Sequence, residues 1–96
     1  MSLQWRLSDR AKGDLQRIIS FSRDRFGARV AQAFGDGFLT LIERLARTPQ
    51  MGRPRPEIGA GVRSFPFRSH IVFYRIKADV LEVAHIRHGA RRDPRL

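Results

Sequence analysis

The hydrophobic period of this chain changes once, and that change narrows the folds open to it. From Ala11 to Leu45 apolar side chains recur at intervals of three and four; from Val62 to Arg87 they crowd into three short β-rich runs. Between the two regimes lies TPQMGRPRPEIGAG, Thr48 to Gly61, whose three prolines and three glycines exclude a regular element of any length. Helices followed by strands within 96 residues leave room for one core, so the expectation is a single α+β domain over residues 1–96.

Leu3, Trp5 and Leu7 alternate with Gln4 and Arg6, the period of a half-buried strand. Ser8 stands where an N-cap belongs, with Asp9 in the first turn against the positive end of the helix dipole. Ala11, Leu15, Ile18, Ser22 and Phe26 then share one helical face, and Gly27 supplies a left-handed stop. Ala31, Phe34, Phe38, Leu41, Ile42 and Leu45 form the stripe of a second helix, ended by Thr48-Pro49. Gly35 and Gly37 each cost that helix about 1 kcal/mol against alanine. They imply a close approach by the first helix or by a partner. Thr48 to Gly61 reads as an ordered crossing loop. Val62 to Phe67, His70 to Ile76 and Val80 to Arg87, separated by Arg68-Ser69 and Lys77-Ala78-Asp79, predict an antiparallel meander. The order is βααβββ, a helical hairpin packed on one face of a mostly antiparallel sheet. Residues 88–96 lack apolar periodicity and read as a basic, loosely ordered tail.

No cysteine is present, which excludes a disulfide scaffold and a thiol nucleophile and points to the cytoplasm. The N-terminal residues lack the apolar core of a signal peptide, and no stretch is long enough to span a bilayer, so no membrane role is expected. Nineteen Lys and Arg against nine Asp and Glu give a net charge of +10, and only Lys12 and Lys77 are lysines. The Arg excess favours planar contacts to phosphate or carboxylate, so the partner should be anionic: nucleic acid or an acidic protein segment.

Small-molecule chemistry finds little support. His70, His85 and His88 lack an acidic cluster, and His85 and His88 should point to opposite sides of a strand, so no metal site is expected. Neither a phosphate-binding glycine loop nor a serine nucleophile elbow occurs, and no cofactor or small-molecule substrate is expected. Arg63, Arg75 and Arg87 interrupt otherwise apolar strand patterns. Either they gather on the sheet face away from the helices, or they are solvated positions paired with Glu57, Asp79 or Glu82. A plain nucleic-acid-binding module would need exposed aromatic rings beside basic residues or a groove-entering basic helix; the sequence makes neither evident.

Leu7-Ser8-x-x-Ala11-x-x-Asp14-Leu15, Phe26-Gly27, Leu45-Ala46 with Pro49, Gly52-Arg53, Glu57-Ile58, Val62-Arg63-Ser64-Phe65-Pro66, His70, Phe73-Tyr74-Arg75 and His85-x-x-His88 follow one another along almost the whole chain. In joint order and spacing they resemble ParE-type toxins of the RelE/ParE toxin-antitoxin superfamily, although no single motif is specific. The resemblance implies the RelE/ParE fold, in agreement with the element order above. It further implies a toxin that arrests growth by inhibiting DNA gyrase, as in plasmid stabilisation systems, and that is neutralised by an acidic ParD-like antitoxin in a hetero-oligomer.

RelE relatives are instead ribosome-dependent mRNA endoribonucleases. For that alternative Arg63 and Arg75 would stabilise charge and His88 would serve as acid or base. The acid-base set is thin, so the expectation is a protein-binding toxin with no catalytic residue and with His88 in a packing role. Ile19, Phe21 and Phe38 flank the core stripe in a small domain and are expected to meet the antitoxin along the hairpin and adjoining sheet edge. Arg87, His88, Arg91, Arg92 and Arg95 are expected to contact the target, with Arg91 and Arg92 contributing most.

Overall fold

The computed structural model describes residues 2–90. Strand β1 (Gln4–Leu7) leads into helix α1 (Asp9–Phe26), then helix α2 (Ala28–Arg47), a 3-10 turn (Pro49–Met51), and strands β2 (Arg53–Pro54), β3 (Arg63–Phe67), β4 (His70–Lys77) and β5 (Val80–His88). The sheet runs β1-β5-β4-β3-β2. Its neighbours are antiparallel except for β1, which pairs parallel to β5. The helical hairpin covers one face, and the main core lies between: Ala11, Phe38, Leu41, Ile42 and Leu45 against Val72, Tyr74, Leu81, Val83 and Ile86.

Local chemistry accounts for the boundaries. The Ser8 hydroxyl accepts from the Ala11 N–H at 3.0 Å, an N-cap of the kind that contributes about 1 kcal/mol. Gly27, the only residue between the helices, takes φ 93° and ψ 169°, a conformation closed to residues with a side chain. All six apolar positions of the expected second stripe are buried. Phe26, expected on the buried face of α1, is 60% exposed and lines a groove shared with the end of β5.

The crossing loop holds more structure than its composition suggests. Arg53 and Pro54 pair with Ser64 and Arg63, adding a fifth strand that βααβββ omits. Proline is tolerated there because β2 lies at the edge of the sheet. The loop is pinned by Tyr74, whose buried hydroxyl accepts from the Gly52 N–H at 2.8 Å and donates to the Pro49 carbonyl at 2.6 Å. Gly37 is the tighter of the two glycines in α2: a Cβ there would meet Phe67 at 3.1 Å, so the close approach is to the β3–β4 corner and not to α1.

Ala78 and Asp79 turn β4 into β5 with φ of 52° and 60°. Positive φ at both central residues is the requirement of a type I′ hairpin, which Asn-Gly meets with less strain. Replacing the pair by Asn-Gly should stabilise the domain by about 1 kcal/mol, raising its melting temperature by roughly 4–8 °C. An unchanged melting temperature would show that the turn carries no such strain.

Candidate functional site

Strand β1 ends opposite Val83, so the outer edge of β5 from Ala84 onward has no strand beside it. Side chains of α1 take its place. Ser8 Oγ donates to the Ala84 carbonyl at 2.9 Å, and Asp14 Oδ2 accepts from the Ile86 N–H at 3.0 Å. The same carboxylate lies 2.6 Å from His85 Nδ1 and accepts from Arg17 at 2.7 Å. Asp14 is buried. Its three partners answer the desolvation that burial imposes on a charge.

A β-bulge at this point sets which way the following residues face. Phe73 pairs with His85 but Tyr74 with Val83, leaving Ala84 as an extra residue in β5. Leu81 and Val83 before the bulge and Ile86 after it all pack into the core. Glu82, His85 and Arg87 consequently share the opposite face. His85 and His88 do fall on opposite sides: His85 stacks on Phe73, whereas His88 meets His70 edge-on with ring centroids 5.4 Å apart.

Beyond the edge, a groove of about 860 Å³ lies between the joined ends of α1 and α2, the β3–β4 corner and the end of β5. Phe21, Phe26, Val30 and Phe34 form its apolar wall; Arg10, Arg17, Arg68 and Arg87 with His70, His85 and His88 form its rim. Phe21 is 58% and Val30 42% exposed. Arg68 lies 5.7 Å from the Phe34 ring and 5.4 Å from Phe67, so cation–π contacts hold one wall in place. Burial lowers the pKa of His70, helped by neighbouring His88. It also lowers that of His85, where it outweighs the opposing effect of Asp14. Asp14 is the lone carboxylate among the described lining residues, and it is already paired.

The three arginines read together from the strand pattern part company. Arg75 lies beside Glu82, with Nε 3.5 Å from the carboxylate, on the face away from the helices. Arg87 is on that face too, 7% exposed, with its guanidinium 5.4 Å from the Phe73 ring. Arg63 pairs with Tyr74 on the helix side and donates to the Gly52 carbonyl at 2.8 Å. It anchors the crossing loop. The set Arg63, Arg75 and His88 is therefore not assembled into one site.

Of the residues expected to meet a partner, Phe21 lines the groove and His88 is exposed at its rim. Ile19 is half-buried against Gly35 between the helices. Phe38 needs correction: it is 3% exposed, facing the sheet with its ring 6.2 Å from Phe67, and belongs to the core. Arg91, Arg92 and Arg95 lie outside the described residues. Sequence reasoning missed Asp14, His85, Arg10 and Val30. Asp14 carried a signal, a carboxylate three residues after buried Ala11 on the inward face of α1. The others became visible only when the bulge and the short β1 were known.

A family model for the ParE toxin of the type II toxin-antitoxin system parDE matches residues 5–93. Toxin ParE1 of Caulobacter vibrioides is 37% identical over 89 residues, covering 91% of this chain and 93% of that protein. Toxin ParE1 of Mycobacterium tuberculosis is 33% identical over 97 residues, covering 97% and 99%. Among solved structures, the chromosomal ParDE toxin-antitoxin system from P. aeruginosa superposes with a TM-score of 0.76 at 18% identity, covering 91% of this chain and 96% of that one. The RelBE2 toxin-antitoxin complex from M. tuberculosis gives 0.64 at 20% identity, covering 92% and 99%. These two establish the fold, and the sequence matches establish the family: the chain belongs to the ParE toxins of type II toxin-antitoxin systems.

Proposed function

We propose that this chain is a cytoplasmic toxin that inhibits DNA gyrase and is neutralised by an acidic, amphipathic antitoxin segment seated in the groove at the open edge of β5. The observation that carries the antitoxin part is the groove itself. Exposed Phe21, Phe26 and Val30 form an apolar floor, and its rim is cationic. An amphipathic helix or extended segment with carboxylates along one side complements both features. Both structural neighbours are toxin-antitoxin systems. Among the described residues no helix is long and apolar enough to cross a membrane. Gyrase as the target follows the resemblance to ParE-type toxins, and the dispersal of Arg63, Arg75 and His88 weighs against the ribonuclease alternative.

Two measurements test the two halves. Phe21→Asp should weaken binding of the protein encoded in the neighbouring reading frame by roughly 30-fold, the loss of a hot-spot contact of about 2 kcal/mol. Unchanged affinity, or self-association through the groove with the partner bound elsewhere, would remove the groove from the reading. In supercoiling and ribosome-programmed mRNA cleavage assays run side by side, the protein should inhibit the first and leave the message intact. A chain ending at Ala90 should lose the inhibition, because the target contacts are assigned to Arg91, Arg92 and Arg95 together with exposed His88; Arg87, also expected to contact the target, is buried against Phe73 and supports the sheet instead. Message cleavage that is lost in His88→Ala would replace gyrase with the ribosome.

A further inference from the structure

The Asp14–His85 pair gives the groove a property that its arginines do not. Asp14 Oδ2 accepts from the Ile86 N–H, and at 2.6 Å from His85 Nδ1 it can only accept there as well. The tautomer is thereby fixed: the neutral ring carries its proton on Nδ1 and presents the lone pair of Nε2 at the mouth of the groove. Arg10 lies 3.4 Å from that nitrogen. While the ring is neutral that lone pair accepts from Arg10; once it is charged, Nε2 is an N–H donor that a carboxylate arriving at the mouth can meet.

We propose that docking of an acidic partner segment in this groove is proton-linked through His85, whose Nε2 becomes a donor to a partner carboxylate on protonation. The inference rests on the antitoxin reading above and adds the chemistry of one anchor point. Every element packed around the ring contributes to the balance. From α1 come Arg10, Asp14 and the Arg17 that pairs with it; from β5 comes Arg87; β4 supplies the uncharged Phe73, whose ring Arg55 and Arg87 approach. Asp14 is the sole anion of the set, so a partner carboxylate would be the second.

In the free protein burial holds His85 below the ordinary histidine value of 6.5, outweighing Asp14, with Arg10 and Arg87 acting in the same direction as burial. A docked carboxylate raises it. The gain in affinity is present in full below the free-state pKa and is lost as pH rises through the bound-state pKa. Each unit by which docking raises that pKa tightens binding by about tenfold at the acid end.

Calorimetry of the whole chain with the protein of the neighbouring reading frame, in buffers of different ionisation heat between about pH 5.5 and 8, reads the protons taken up even when binding is very tight. Net uptake near neutrality is expected, approaching one proton at its maximum, together with tighter binding at lower pH. His85→Gln should abolish the uptake while binding persists. Binding without uptake overturns the inference and leaves the antitoxin reading standing; no binding overturns both. Uptake that survives in His85→Gln but vanishes in a His70→Gln, His88→Gln double variant moves the linkage to that other pair and overturns the assignment to His85.

Discussion

Gly52→Ala should be among the most damaging single substitutions in this protein, lowering stability by about 3 kcal/mol or more. A Cβ at this position would lie 2.7 Å from Cε1 and 2.8 Å from Cζ of Tyr74, distances that side-chain carbons do not tolerate. Tyr74 cannot swing away cheaply: it is fully buried, and its hydroxyl links the Gly52 N–H to the Pro49 carbonyl. Moving the ring would orphan buried polar groups; moving the backbone would break β2 from β3 and release Arg63 from the Gly52 carbonyl. For a domain of this size the loss corresponds to a fall in melting temperature of about 12 °C or more. Tyr74→Phe isolates the hydrogen-bond part and should cost less, about 1–3 kcal/mol. A Gly52→Ala protein melting with the wild type would show that the loop has another seat.

Asp14→Ala should cost about 3–5 kcal/mol, as removing one member of a buried ion pair does. The Ile86 N–H would lose its partner at the edge of β5, His85 would lose the acceptor for Nδ1, and Arg17 would lose its anion. Asp14→Asn provides the contrast. Its amide oxygen can still accept from one of the two buried donors, so it should retain more than half of what alanine loses. Thermal melts of the two variants decide the matter. Equal losses would mean that the space filled by the side chain matters and its acceptor capacity does not.

The fold was legible wherever one residue's local chemistry determined the outcome. Ser8 caps α1, Gly27 separates the helices, and the α2 stripe from Ala31 to Leu45 is buried as its spacing requires. The meander could be read because each turn left a gap in the apolar pattern. Three features resisted. Arg53 and Pro54 form a strand only because β3 lies alongside, a pairing that leaves no trace in a proline-rich segment. The direction of β1 depends on which neighbour it finds, and alternation of Leu3, Trp5 and Leu7 fits parallel and antiparallel pairing alike. The Ala84 bulge is silent in composition, yet it decides that Glu82 and Arg87 share a face.

The candidate site was less legible for a related reason. Phe21 was found from its place on the helix, because exposure follows from position on the hairpin. Phe38 was misread as a partner contact although it lies on the α2 stripe itself, where its spacing from Phe34 and Ile42 already required burial. His85, Arg10 and Asp14 come together across 71 and 75 positions, and no spacing rule reaches that far.

The parallel pairing of β1 with β5 has a temporal side. Arg6 and Glu82 form an ion pair at 3.1 Å although 76 positions separate them. During synthesis the first strand and the helical hairpin therefore emerge long before the strand that completes their sheet. Until β5 arrives, the core face of the hairpin can meet Val72 and Tyr74 of β4 but lacks Leu81, Val83 and Ile86, and β1 has no neighbouring strand. Contacts of such long range form late and slow folding, and uncovered apolar helices are the usual substrate of premature association. The edge groove cannot exist in that interval either, since its base is the last strand. A nascent chain of this kind is inert toward any ligand of the groove, and competence arrives in one step when β5 docks between β1 and β4.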